Sequence, residues 1–236
     1  MTIPVSPIPQ ALVQHPVVTT DTGLERISKR ARPPSLAIVP YSPLWPTRYT
    51  QLANRIRNAL GPRALSIAHV GSTSIPQMPA KAVIDIDVVV ADPADEAAYV
   101  SALVGKGWEG TGTGRGCSDA EGERGAGLQF LLREPGWHQH RFFICDDGDD
   151  DDDDDGRIEA HVHVWGPGCP EVLRHQIFKD WLLTHPEDFE LYASVKRECS
   201  AASQESGESM AQYNLRKEPV IQAILDRAFK ARGLLD

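Results

Sequence analysis

Cysteine is scarce in this chain. Four thiols in 236 residues, Cys117, Cys145, Cys169 and Cys199, are too few for a disulfide-stapled scaffold. Their wide spacing also matches no CxxC metal ribbon. Long apolar runs are missing as well: no stretch approaches the ~20 residues of a membrane span, and the opening residues lack the basic start and apolar core of a secretory signal. These absences predict a cytoplasmic protein with reduced thiols and no membrane partner. No repeat period emerges, which sets aside solenoids and propellers.

Net charge is absent from most of the molecule. The formal charge of −9 equals the contribution of nine carboxylates in one window, Asp146, Asp147 and Asp149 through Asp155. The remainder is neutral, so composition argues for neither a basic nucleic-acid face nor an acidic surface, and a tRNA partner has no support from net charge. Repulsion within the run predicts a solvated, aspartate-rich loop over residues 146–155. What is present is ordinary: 41% hydrophobic and 24% charged residues, enough to bury the core of one large domain or a domain with a helical appendage.

Residues 1–33 mix Pro, Thr and Ser with a short basic cluster, Arg26, Lys29, Arg30 and Arg32, and read as a disordered arm. From residue 34 to 168 the pattern is that of a folded α/β core. Pro46 opens a helix with Tyr49, Leu52, Ile56 and Leu60 at helical spacing, stopped by Gly61. Residues 65–70 read as a strand, Gly71-Ser72-Thr73-Ser74 as a tight polar turn, and residues 82–91 as a second, nearly all-apolar strand. Asp92-Pro93 predicts the start of a helix reaching Val104. Residues 110–127, rich in glycine, read as a loop, followed by strands over 128–132, 141–145 and 158–165. Residues 169–236 are helical: one helix from Pro170, one from Glu187, one from Met210.

The chemistry concentrates in AVIDIDVVVA. Strand side chains alternate, so Asp85 and Asp87 share one face while Ile84, Ile86 and Val88 occupy the other. Two carboxylates on a partly buried face call for a cation, and a hard ion such as Mg²⁺ takes carboxylate oxygens together with water and substrate phosphates. The preceding turn offers backbone N–H groups and the hydroxyls of Ser72, Thr73 and Ser74, with Gly71 adding no side chain; such a turn can cradle a phosphate. Lys81 adds a positive charge at the same rim. Taken singly, these are a polar turn, an edge lysine and two solvated acids. In this order they predict a magnesium-phosphate site.

The run HVGSTSIPQMPAKAVIDIDVVV, residues 69–90, resembles the signature of the GrpB-like family, uncharacterised proteins sometimes fused to dephospho-CoA kinase. IVPYSPLWP at residues 38–46 is similar to that family's opening segment, HVHV at residues 161–164 to its histidine strand, and the Tyr192/Lys196 and Tyr213/Lys217 pairs to its terminal helices. The resemblance implies the nucleotidyltransferase superfamily of the polymerase-beta type: an α/β (α+β) fold with a mixed β-sheet, flanking helices and a C-terminal helical segment. By the same resemblance Gly71 and Ser72 contact a triphosphate and Asp85 and Asp87 hold Mg²⁺.

A third acid on a later strand completes that pattern. Glu159 lies on the expected strand and shares a face with His161 and His163, either of which can replace the acid as a base. Two histidines spaced by two also suit zinc, with His69, His138 or His140 as a third ligand. Arg174 and His175 are candidate contacts for a nucleotide base or acceptor, and the Tyr–Lys pairs read first as packing. The expected activity is transfer of a nucleotidyl group from a nucleoside triphosphate to a small-molecule acceptor. The alternatives are amide formation or tRNA-dependent aminoacyl transfer on the same fold, and a nucleotide-binding module without turnover.

Overall fold

The computed structural model describes residues 10–14, 23–30, 33–105, 125–147 and 158–236. Most of the glycine-rich stretch, the aspartate run beyond Asp147 and much of the expected arm lie outside them. The chain divides into two compact units: Val39–Pro167 with the described part of Thr20–Ser35, and Gly168–Asp236 with Leu36–Ile38 and the residues near the amino end.

In the described order the elements are α1 (Gln10–Val13), β1 (Glu25–Arg26), α2 (Trp45–Leu60), β2 (Ser66–Val70), β3 (Ile84–Val89), α3 (Val100–Val104), β4 (Gln129–Glu134), β5 (His140–Asp147), β6 (Ile158–Trp165), α4 (Pro170–Thr184), α5 (Pro186–Glu205) and α6 (Met210–Ala231). The six strands form one mixed sheet ordered β1-β4-β5-β6-β3-β2. β3 and β6 run parallel, and the remaining neighbours are antiparallel.

Alternation on β3 sets the core. Ile84, Ile86 and Val88 join Ala160, Val162 and Val164 of β6 and Phe143 of β5 in one buried layer. Leu52, Ile56 and Leu60 of α2, three to four residues apart, and Leu103 with Val104 of α3 belong to the same core. Each such side chain contributes about 1.5–3 kcal/mol on burial. The opposite face is left to the polar residues of β3 and β6.

Two stretches differ from expectation. The helix anticipated from Asp92 begins only at Val100, after a short 3₁₀ turn at Glu96–Ala98. Asp92 Oδ1 accepts the Ala94 N–H at 2.8 Å, and the Tyr99 hydroxyl donates to the Pro93 carbonyl at 2.8 Å, so local side-chain bonds replace helical ones. Within the stretch expected as an arm, residues 25–28 instead lie along the sheet edge. β1 pairs with β4, the N–H groups of Ile27 and Ser28 donate to the Leu131 carbonyl, and the Ser28 hydroxyl donates to the Phe130 carbonyl at 2.6 Å. Edge pairing uses main-chain groups, so it leaves no apolar period in the sequence.

In the helical unit Pro170 and Pro186 start α4 and α5, and Ser209 with Gln212 forms a reciprocal capping box on α6. Leu12, Ile177, Leu225, Ala228 and Phe229 form its apolar cluster. Lys196 Nζ lies 4.6 Å from the Tyr192 ring centroid and Lys217 Nζ 4.8 Å from that of Tyr213, which is the packing expected of these i,i+4 pairs.

Candidate functional site

Register brings the acids and histidines together. In the parallel β3–β6 pair Asp85 stands opposite His161 and Asp87 opposite His163. Across the antiparallel β5–β6 pair Phe142 meets His163 and Asp146 meets Glu159. Asp85, Asp87, Glu159, His161 and His163 therefore share the face opposite the apolar layer.

The Gly71 turn is built against Asp85. Gly71 has φ +65°, and a Cβ added there would fall 2.3 Å from Asp85 Oδ2, so only glycine lets the carboxylate lie along the turn. Two of the three hydroxyls are committed inside the turn. Ser74 Oγ donates to the Gly71 carbonyl at 2.7 Å; Thr73 Oγ1, 1% exposed, donates to the Val83 carbonyl at 3.1 Å and accepts from His69 Nε2 at 3.1 Å. Ser72 Oγ makes no hydrogen bond among the described residues. It is the hydroxyl left to meet a ligand.

Asp85 continues into a row of polar contacts. Its Oδ1 lies 3.3 Å from His161 Nδ1, His161 Nε2 lies 2.6 Å from Arg30 Nη2, and Arg30 Nη1 lies 3.4 Å from Glu159 Oε1. Burial alone would raise the Asp85 carboxyl. The hydrogen bond and charge of His161, with His163 and Lys81, outweigh it and hold that carboxyl well below the usual carboxylate range. Burial lowers the Arg30 guanidinium from its ordinary value, with Glu159 opposing the shift.

A second row lies beside it. His140, 2% exposed, places Nδ1 2.7 Å from Glu134 Oε2 and Nε2 3.0 Å from His163 Nδ1. Burial raises the Glu134 carboxyl, opposed by the charge of His163. Asp87, 1% exposed, accepts the Trp165 indole N–H through Oδ1 at 2.9 Å.

Asp85 and Asp87 are hard oxygen donors of the kind magnesium takes, one or two carboxylates with substrate phosphates and water completing its shell. The donor set fits that ion. Zinc fits less well: His69 pairs with Ile86 and so lies on the apolar side of the sheet, stacked on Tyr49 at 4.6 Å, while His138 is exposed on a turn. His140 and His163 bond to each other rather than converge. Among the described residues no group of three or more His, Cys, Asp and Glu is arranged to hold a metal ion.

Arg174 and His175 belong to the helical unit. Arg174 is buried and its guanidinium is spent there, on Glu171 and on the carbonyls of Ala11, Leu12 and Gln14. Sequence reasoning missed Arg30 and Glu134. Arg30 stood in a basic cluster that gave no sign of reaching β6, and Glu134 ends a strand whose register only the fold supplies.

Comparison with known proteins agrees with this architecture. A chain of Enterococcus faecalis solved as conserved protein GrpB superposes with a TM-score of 0.59 over 84% of this chain and 99% of its own, at 24% identity, and so shares the fold. A UPF0157 protein of Halalkalibacterium halodurans is 34% identical over 89% of this chain and 92% of its own. A dephospho-CoA kinase of Mycobacterium bovis is 32% identical over 85% of this chain but only 47% of the kinase. The family described as GrpB protein matches residues 35–227, a span that holds the turn, both aspartates, Glu159, the helices α2 to α5 and most of α6. With most of its length matched by the family and a 34%-identical relative covered over 92% of that relative's length, this chain belongs to the GrpB family.

Proposed function

We propose that the protein binds a nucleoside triphosphate as its magnesium complex and transfers the nucleotidyl group to a small-molecule acceptor. The observation that carries this reading is the contact of the Gly71 turn with the Asp85 carboxylate, which makes the phosphate-cradling loop and the acidic strand a single site. Asp85 and Asp87 would hold the ion, which supplies neutralising charge to the triphosphate when bound. Ser72 Oγ and the turn's backbone N–H groups would orient the phosphates, and Lys81 would add charge at the rim.

In the transfer an acceptor oxygen bonds to the α-phosphorus, the bond to the β-phosphate oxygen breaks, and pyrophosphate leaves. The acceptor's proton needs a base. His161 has both ring nitrogens engaged, and Glu159 is tied to Arg30. His163, coupled through His140 to Glu134, is the group we assign to receive it. A cytoplasmic setting would supply the magnesium nucleotide.

The test is a thermal-shift panel of nucleotides with and without Mg²⁺. The wild-type protein is expected to show a magnesium-dependent nucleotide shift, and Asp85→Ala to lose it with its circular dichroism unchanged. An unaltered shift in Asp85→Ala, or none in the wild type, overturns the reading. A second reading, binding without turnover, draws support from the engagement of Glu159 and His161 by Arg30; nucleotide binding with no pyrophosphate released across a panel of acceptors would favour it.

A further inference from the structure

We infer that Phe142 is the surface on which the nucleobase of the bound nucleotide stacks. The inference rests on the nucleotide-site reading and concerns the part of the ligand that the Gly71 turn and the aspartates do not touch.

Register places Phe142 in line with the acids. It stands opposite His163 across the β5–β6 pair, and Asp87 stands opposite His163 across the β3–β6 pair. Side chains paired in register point to one face, so the Phe142 ring belongs to the face that carries Asp85 and Asp87. Two strand spacings separate β5 from β3, roughly 10 Å. A ribose and its base span such a distance from a phosphate held at the aspartates. His163 lies between the two ends, on the side where the acceptor's proton is to be received.

The rings on this face are not equivalent. Trp165 is 0% exposed and His140 2%. Those two stack at 4.2 Å, and His163 runs nearly parallel to both, 5.1 Å from His140 and 6.0 Å from Trp165. Trp137, on the turn between β4 and β5, is set edge-on against His140 and Trp165. Phe142 ends the array. It meets His161 at 5.2 Å and 68°, His163 at 5.1 Å and 44°, and His140 at 6.1 Å and 41°. Among the described residues no ring lies parallel on Phe142, which is partly exposed. Leu132, also partly exposed, stands opposite it on β4 and widens the apolar surface. Apolar and aromatic lining beside a few fixed polar groups is what holds the flat part of a small ligand. Stacking on an aromatic ring tolerates any base, so Phe142 anchors the nucleoside without selecting among bases.

The test is calorimetric titration of the full chain in Mg²⁺ with ATP and, separately, with inorganic tripolyphosphate, which keeps the phosphates and lacks the base. The wild type is expected to bind both, ATP the more tightly. Phe142→Ala is expected to weaken ATP binding by about 5- to 150-fold and to leave tripolyphosphate binding unchanged. Phe142→Trp is expected to retain ATP binding, and Phe142→Leu, which keeps apolar bulk without an aromatic face, to fall between. Unchanged ATP affinity in Phe142→Ala overturns the inference. So does an equal loss of ATP and tripolyphosphate in both the alanine and leucine variants, which would make the ring a prop for His161 and His163. Failure of the nucleotide-site reading looks different: the wild type itself would bind neither ligand in a magnesium-dependent way, and the inference would fall with it.

Discussion

Replacing Gly71 by alanine tests the join between turn and acid. The backbone there has φ +65° and ψ −172°, a region other residues avoid, so the methyl group costs about 1–3 kcal/mol in strain alone. It would also sit 2.3 Å from Asp85 Oδ2 and 3.0 Å from Asp85 Cβ and Cγ. The carboxylate must rotate, leaving its rotamer and its bond to His161, which adds roughly 1–3 kcal/mol after allowing for rehydration of a side chain that is 31% exposed. Gly61 supplies the control. Its φ is +57°, yet an added Cβ meets nothing within 4 Å, so Gly61→Ala bears the strain without the clash. Urea unfolding of both variants isolates the difference, and thermal unfolding should separate them by roughly 2–4 °C per kcal/mol. Gly71→Ala should also lose the magnesium-dependent nucleotide shift, which Gly61→Ala keeps. Equal losses of stability, with nucleotide response intact in both, would refute the argument.

Thr73→Val keeps the shape of the turn but strips the Val83 carbonyl and His69 of their buried partner, and is expected to cost about 1–3 kcal/mol in urea unfolding. Asp188 is held below the ordinary carboxylate range by hydrogen bonds from Arg227 and Trp181, against the opposing effect of burial. Its folded value lies below its unfolded one, so its contribution is present above the unfolded value and disappears as pH falls through the folded one. Asp188→Asn should flatten the acid limb of a stability–pH curve in that window; an unchanged limb would show that the Arg227 pair contributes nothing there.

Much of the site was legible because β3 alternates so strictly. Ile84, Ile86 and Val88 could only be core, which placed Asp85 and Asp87 together, and Gly71 stood where a turn needed a residue without a side chain. The face of His69 was not legible: β2 shows no clear alternation, and only its pairing with Ile86 places that ring on the apolar side. The same holds for Glu134, His140 and His163, which come from three strands whose offsets no local pattern encodes. Arg30 was hidden for another reason. It reaches the site from the sheet edge by main-chain pairing, which is indifferent to side-chain type.

The core, rather than attraction between charged groups, determines which polar residues meet. A slip of β3 by one residue against β6 would turn Asp85 and Asp87 into the layer occupied by Val162, Leu52 and Ile56, leaving two carboxylates without water or partners. Several buried aliphatic side chains at about 1.5–3 kcal/mol each oppose that slip, whereas the His161–Asp85 contact, partly exposed to solvent, contributes far less. The apolar face thus enforces the register, and the register delivers Asp85 to His161 and Asp87 to His163.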